Sequence, residues 1–106
     1  MGVLDFLFGP SMEQGVEECR STPGALLLDV RTPQEYREGH VPGSINLPLQ
    51  EIQGAGRVIP DKATPVFLYC RSGARSGEAT RFLEQMGYSK VKNIGGIISY
   101  HGKVER

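Results

Sequence analysis

A cysteine followed by a short polar loop is the clearest chemical feature of the sequence. The segment reads Cys70-Arg71-Ser72-Gly73-Ala74-Arg75-Ser76 and comes directly after an apolar run. Backbone N–H groups that curve around the sulfur, and the positive end of a following helix, favour a thiolate over a thiol. The guanidinium groups of Arg71 and Arg75 add positive charge that attracts an anionic substrate. The pattern therefore predicts a nucleophilic Cys70 that needs no histidine base.

The competing interpretation is a purely structural one. A lone cysteine at the end of a strand is often a small buried side chain, and isolated arginines are usually solvated surface charges. Here the strand, the cysteine, the glycine-bearing loop and the start of a helix occur together in one segment. This combination favours the chemical interpretation over the structural one.

Alternating strand and helix patterns predict how the chain positions this loop. The predicted strands are Ala25–Val30, Ser44–Leu47, Pro65–Tyr69 and Val91–Ile94. The predicted helices run from about Ser11 to Ser21, Thr32 to Gly39, Pro48 to Gln53 and Ser76 to Met86. Such alternation predicts an α/β layer with a mostly parallel sheet, whose binding site lies at the carboxyl ends of the strands. Cys70 lies at such an end.

Length and composition exclude several classes of protein. The chain has 106 residues, which is enough for one domain with a single core. No apolar run approaches the roughly 20 residues that a membrane-spanning helix needs. Lys and Arg together number 12, as do Asp and Glu, so the formal net charge is zero. Because there is no global basic field, the sequence does not predict a nucleic-acid partner. The short apolar runs argue against a membrane partner for the predicted domain.

Residues 1–10 form an apolar extension before the predicted domain at 11–106. The extension lacks the cationic start and small-residue cleavage site of a signal peptide, which predicts a cytoplasmic protein. Two cysteines are too few for a disulfide framework, so each is expected to be a free thiol. Two roles for the extension stay open: packing on the core, or contact with another chain or a membrane surface.

Three blocks of sequence together resemble the rhodanese family of sulfurtransferases. The first block is the loop from Cys70 to Arg75. The second comprises Leu28-Asp29-Val30-Arg31, Glu35-Tyr36 and Gly39-His40-Val41-Pro42-Gly43-Ser44-Ile45-Asn46. The third is Asn93-Ile94-Gly95-Gly96-Ile97. Together the three blocks span nearly the whole chain from about Ser11 onward. Their order along the chain resembles that of a single rhodanese-like domain.

The resemblance implies a fold and a reaction. The fold is a mostly parallel five-stranded sheet flanked by helices on both faces. In the reaction, the Cys70 thiolate takes the outer sulfur of thiosulfate or a related persulfide donor. It then passes the sulfur to cyanide, to a thiol, or to a protein that carries persulfides. The loop amides from Arg71 to Ser76 stabilise the charge, and no metal or organic cofactor is required.

Loop length separates this interpretation from its nearest relatives. Dual-specificity phosphatases with a similar fold have a loop one residue longer, with an arginine where this chain has Ser76. The shorter loop ending at Arg75 fits a sulfur atom better than a phosphoryl group. The main alternative is a persulfide carrier or interaction module with little turnover on small molecules. The presence of Cys70 favours the enzyme.

Asp29 and Arg31 are the supporting residues of the candidate site, because Asp29 lies at the carboxyl end of a predicted strand and Arg31 comes just after that strand. A structural role is the stronger interpretation, in which Arg31 pairs with Glu35 or Glu38 and Asp29 accepts hydrogen bonds from loop N–H groups. His40 is more readily a residue that fixes its own turn than a general base.

Two further features concern the core and the C-terminus. Cys19 lies on the apolar side of a predicted helix, which favours core packing over exchange with a Cys70 persulfide. The histidines and Cys19 lack the spacing of a zinc site, so no metal is predicted. After Ile97 the chain departs from the family pattern, which continues through a helix with an aromatic residue. We expect Tyr100 to take that place.

Overall fold

The computed structural model describes residues 11–106, and the predicted extension at residues 1–10 lies outside them. The strands are β1 (Leu26–Asp29), β2 (Ile45–Asn46), β3 (Val66–Cys70) and β4 (Val91–Gly96). The α-helices are α1 (Met12–Ser21), α2 (Pro33–Glu38), α3 (Ala55–Val58) and α4 (Ala74–Gln85), and 3₁₀ helices span Leu49–Gly54 and Ile97–Ser99. None of these helices is both long and apolar enough to cross a membrane.

The strands form one parallel sheet in the order β2-β1-β3-β4. The five-stranded sheet that the resemblance implied is wrong for residues 11–106, where the sheet has four strands. The chain segment after β4 does not add a fifth. It turns into a 3₁₀ helix, and near the C-terminus it makes only an isolated antiparallel bridge between His40 and Glu105. The parallel α/β class is confirmed.

Both faces of the sheet are covered, because successive side chains of a strand point to opposite faces. Along β3, Phe67 and Tyr69 pack with α1, while Leu68 and Cys70 pack on the side of α4. The α1 side also contains Met12, Val16, Cys19, Leu27, Val41 and Ile94. The α4 side also contains Leu28, Val30, Ile52, Ile59, Ala79 and Leu83. Strands buried on both faces explain the nearly continuous apolar runs in the sequence.

Side-chain caps fix the starts of the first two helices. Ser11 and Gln14 form a reciprocal capping box at α1, and Thr32 and Glu35 form another at α2. Each box satisfies N–H groups that the first turn of a helix leaves without partners. The predicted helix starts at Ser11 and Thr32 are confirmed, because these two residues are the N-caps.

Helix α4 begins at Ala74, two residues earlier than the sequence predicted. Gly73 is its N-cap residue and has a φ of 102°, a left-handed conformation that favours glycine. The Gly73 carbonyl then accepts a hydrogen bond from the Gly77 N–H at 3.0 Å. Arg75 and Ser76 therefore lie in the first turn of α4 rather than in a free loop.

Candidate active site

Cys70 is the last residue of β3, and only 1% of its surface is exposed. Its Sγ accepts a hydrogen bond from the Gly73 N–H at 3.0 Å. The Ser76 hydroxyl lies 3.4 Å from the same sulfur and is itself fully buried. The sequence-predicted cradle of loop amides is thus supplemented by a hydroxyl from the first turn of α4.

These contacts determine the acidity of the Cys70 thiol. Burial raises its pKa, because the charged form loses hydration. The Ser76 hydroxyl and the backbone N–H groups of Ser76, Gly73 and Ser72 act in the opposite direction. Together the hydrogen bonds prevail, and the pKa of Cys70 lies below the ordinary thiol value.

Cys19 provides a contrast within the same chain. It is buried in the core under α1, as the sequence predicted, and burial raises its pKa. A raised pKa disfavours the thiolate, which is the nucleophilic form of cysteine. The two thiols therefore differ in reactivity, and only Cys70 has the environment of a nucleophile.

A close backbone contact sets the shape of the Cys70 loop. A Cβ atom on Gly96 would lie 2.6 Å from the Ser72 Cα and would also overlap the Arg71 carbonyl oxygen. Glycine is therefore the residue that allows the end of β4 to pack against the loop. The Ile98 N–H then donates to the Arg71 carbonyl at 3.1 Å. The Gly95-Gly96 block of the sequence thus supports the loop from behind.

Arg75 is held by a carboxylate. Its two terminal nitrogens donate to the two carboxylate oxygens of Glu35, at 2.7 and 3.0 Å. This bidentate pair joins α4 to α2 across 40 positions of sequence, and it neutralises the charge that was expected to attract a donor. Arg71 is exposed, and no carboxylate within residues 11–106 forms a salt bridge with it.

The Arg75–Glu35 pair predicts a loss of stability in acid. The Arg75 hydrogen bond, opposed by burial and aided by Thr32, lowers the pKa of Glu35 to about 2 from an ordinary value of 4.5. Because the folded pKa is the lower one, the contribution is present above pH about 4.5 and is lost as pH falls towards 2. We expect urea unfolding at pH 7 and pH 3 to show a larger stability loss for wild type than for Glu35→Gln. Equal losses would contradict this role of the pair.

Asp29 and Arg31 form a buried ion pair with each other. Arg31 Nη2 lies 2.6 Å from Asp29 Oδ2, and Nε donates to both carboxylate oxygens at 3.0 Å. Arg31 Nη2 also donates to the Gly39 carbonyl, and Asp29 Oδ1 accepts the Arg31 N–H. The predicted pairing of Arg31 with Glu35 or Glu38 is wrong, because Asp29 is already beside it at the strand end. The prediction that Asp29 accepts a loop N–H is confirmed.

His40 stabilises its own turn, which is the role that the sequence favoured over a general base. Its Nδ1 lies 2.8 Å from the Tyr36 carbonyl oxygen, and its ring stacks on the Tyr36 ring at 3.7 Å. The Tyr69 hydroxyl accepts the N–H of Val41, which is 28 positions away in sequence, at 3.0 Å. It also lies 3.1 Å from Ser44 Oγ. The Gly-His-Val-Pro-Gly turn is thus supported by a buried tyrosine that sequence reasoning treated only as part of a strand.

Sequence reasoning also missed Asn93. Its carboxamide oxygen lies 2.7 Å from the Ser76 hydroxyl, and its nitrogen donates to the Gly73 carbonyl at 3.0 Å. The available signal was the position of Asn93 at the start of the third sequence block. Tyr100, expected to take the place of a family aromatic, packs half-buried against the cluster under α1. Within residues 11–106, no group of three potential ligands is placed to hold a metal ion.

Known proteins share this architecture. A family model described as a rhodanese-like domain matches residues 12–102. A thiosulfate sulfurtransferase from Escherichia coli is 44% identical over 71 residues, which cover 66% of this chain and 68% of that protein. A sulfurtransferase from Allochromatium vinosum is 45% identical over 89 residues, covering 81% of this chain and 82% of that protein. A solved structure described as a rhodanese with anions from E. coli has a TM-score of 0.72 at 37% identity, covering 77% of this chain and 98% of that one.

Proposed function

The chain belongs to the rhodanese-like domain family, and we propose that it is a sulfurtransferase that moves sulfane sulfur through a persulfide on Cys70. The donor is thiosulfate or a related persulfide, and the acceptor is cyanide or a thiol. The observation that carries the proposal is the set of donors on the Cys70 sulfur, namely the Gly73 N–H at 3.0 Å and the Ser76 hydroxyl at 3.4 Å. The names of the relatives support the same class of reaction.

In the first half-reaction, the Cys70 thiolate attacks the outer sulfur of the donor. A new S–S bond forms, the S–S bond within thiosulfate breaks, and sulfite leaves with the electron pair. The outer sulfur of the persulfide then carries the negative charge. We assign the stabilisation of this charge to the loop N–H groups of Ser72, Gly73 and Ser76, which act on the Cys70 sulfur in the free protein and are held in place by the loop and the first turn of α4.

In the second half-reaction, the acceptor attacks the outer sulfur and Cys70 leaves as a thiolate. Cyanide becomes thiocyanate, and a thiol acceptor becomes a persulfide. The hydrogen bonds that lower the pKa of Cys70 also make its thiolate a better leaving group. The same contacts therefore support both halves of the cycle, and neither half needs a general base.

Arg71 is the cation that we assign to the attraction of the donor, since Arg75 is neutralised by Glu35. We expect Arg71→Ala to raise the KM for thiosulfate by about tenfold while kcat changes less, because a lost charge–anion contact weakens binding. Steady-state thiocyanate formation measures both constants. The matched control is Arg57→Ala, an exposed arginine on α3, which is expected to leave both constants unchanged. An unchanged KM in Arg71→Ala would contradict the assignment.

The same assay separates the enzyme from the persulfide carrier. An enzyme forms thiocyanate repeatedly from thiosulfate and cyanide. A carrier takes up sulfur but turns over slowly with small acceptors, and it exchanges sulfur readily with a protein partner. A cytoplasmic location and a protein persulfide partner stay predictions that accompany the proposed function.

A further inference from the structure

A surface asparagine shares the Ser76 hydroxyl with the Cys70 sulfur. The hydroxyl has three acceptors within reach: Asn93 Oδ1 at 2.7 Å, the Gly73 carbonyl at 3.2 Å and Cys70 Sγ at 3.4 Å. A serine hydroxyl has one proton, so it donates to one of these acceptors at a time. The shortest of the three distances is to the asparagine rather than to the sulfur.

The orientation of the Asn93 carboxamide is fixed by its other partners. Its Oδ1 accepts the Gly95 N–H at 3.0 Å, and its Nδ2 donates to the Gly73 carbonyl at 3.0 Å. A reversed amide would place a donor against the Gly95 N–H and an acceptor against the Gly73 carbonyl. The oxygen therefore faces Ser76, and it presents an acceptor to the hydroxyl.

We propose that Asn93 is a positioning residue that controls, through Ser76, how strongly a hydroxyl proton is directed at the Cys70 sulfur. The inference rests on the proposed function, in which that sulfur alternates between anionic and neutral forms. When Cys70 is a neutral thiol or the inner sulfur of a persulfide, the Ser76 proton is directed at Asn93. When Cys70 is a thiolate, the O–H rotates and donates to the sulfur.

The competition between Asn93 and the sulfur for the Ser76 proton limits how far the hydroxyl stabilises the thiolate. The O–H only rotates about the Cβ–Oγ bond between the two acceptors, and the proton stays on Ser76. Asn93 stabilises the neutral state by offering a better acceptor than a neutral sulfur. A stronger acceptor at position 93 holds the proton away from the thiolate, and this makes Cys70 less acidic. The effect requires the Ser76 hydroxyl and disappears without it.

Other charges also face Cys70 and must be separated from this effect. The pKa of Arg75 on α4 is raised, mainly by its hydrogen bond to Glu35. The charges of Cys70 and Asp29 raise it further. Arg71 follows Cys70 in the loop, and Arg31 is paired with Asp29 at the end of β1. None of these groups changes when Ser76 or Asn93 is replaced. A double-mutant cycle therefore cancels their contributions.

The test compares four proteins: wild type, Asn93→Asp, Ser76→Ala and the double variant. The aspartate keeps an acceptor facing Ser76 and strengthens it, and position 93 is exposed to solvent. The variant also loses the donor to the Gly73 carbonyl, but this loss occurs with and without the Ser76 hydroxyl, so the comparison of the two backgrounds cancels it. The rate of Cys70 alkylation by iodoacetamide is measured from pH 5 to pH 10, with the modified peptide identified by mass. Thermal unfolding of each variant verifies that it is folded.

We expect Asn93→Asp to slow Cys70 alkylation at pH 7 by about tenfold in the wild-type background and by about threefold in the Ser76→Ala background. The smaller factor combines the direct effect of the new charge on the thiolate with the loss of the hydrogen bond to the Gly73 carbonyl. The excess in the wild-type background is the part that passes through Ser76. Equal factors in the two backgrounds would overturn the inference.

The readout needs no sulfur transfer, so it separates the two claims. A protein that shows the coupled effect but takes no sulfur from thiosulfate would contradict the proposed function and support the role of Asn93 at the thiolate. A protein that takes sulfur but shows equal factors would contradict the role of Asn93 and leave the sulfurtransferase intact.

Discussion

Replacing Cys70 by serine is expected to reduce thiocyanate formation from thiosulfate and cyanide by about 10⁴-fold or more. The serine hydroxyl remains protonated at neutral pH, and it has no thiolate to form an S–S bond with the outer sulfur of the donor. The donors that surround position 70 keep their places, since serine differs from cysteine by one atom. The loss should therefore appear in kcat, measured at saturating thiosulfate.

Cys19→Ser is the matched control for this prediction. Cys19 is a buried core residue whose pKa is raised by burial, which disfavours the thiolate that the reaction needs. We expect the variant to lose some thermal stability, because a polar hydroxyl replaces a packed sulfur, while the folded protein keeps its turnover. If Cys19→Ser rather than Cys70→Ser abolished thiocyanate formation, the assignment of the site would be wrong.

Asp29→Asn is expected to lower the free energy of unfolding by about 3–5 kcal/mol. Asp29 is fully buried and Arg31 is only 6% exposed, so the change leaves a guanidinium charge in the interior without its counter-charge. The amide oxygen of the variant and the Gly39 carbonyl still accept hydrogen bonds from Arg31, but neither supplies a negative charge. Urea unfolding monitored by circular dichroism measures the difference.

A surface ion pair in the same chain serves as the comparison. Glu18 and Lys92 lie 2.6 Å apart, but about half of each side chain is exposed to solvent. We expect Glu18→Gln to change the free energy of unfolding by no more than about 1 kcal/mol, because solvent screens the pair. If Asp29→Asn and Glu18→Gln lowered the free energy of unfolding by similar amounts, burial would not explain the contribution of the Asp29–Arg31 pair to stability.

Most of the fold was predictable because its signals are local. The capping boxes at Ser11 and Thr32 mark helix starts, and the apolar run before Cys70 marks a strand that is buried on both faces. The number of strands was harder to predict from the sequence. It was taken from the resemblance rather than from the residues, and the segment near Glu105 forms a single bridge instead of a strand.

Sequence reasoning identified the nucleophile and its loop but not the residues that pair with the arginines of the site. A strand, a cysteine and a glycine-bearing loop are contiguous in sequence, so Cys70 and its amides were identified from the residues. The partner of Arg75 is 40 positions away, and only the fold brings the first turn of α2 within reach of the first turn of α4. For Arg31, the prediction chose a glutamate downstream in the sequence, while the strand end places Asp29 closer.

The most direct test of the account is the intact mass of the wild-type protein after incubation with thiosulfate. We expect a gain of about 32 Da, one sulfur atom, that cyanide removes with release of thiocyanate and that Cys70→Ser does not show. No gain with thiosulfate or any other sulfane donor, or an equal gain on Cys70→Ser, would contradict a persulfide on Cys70.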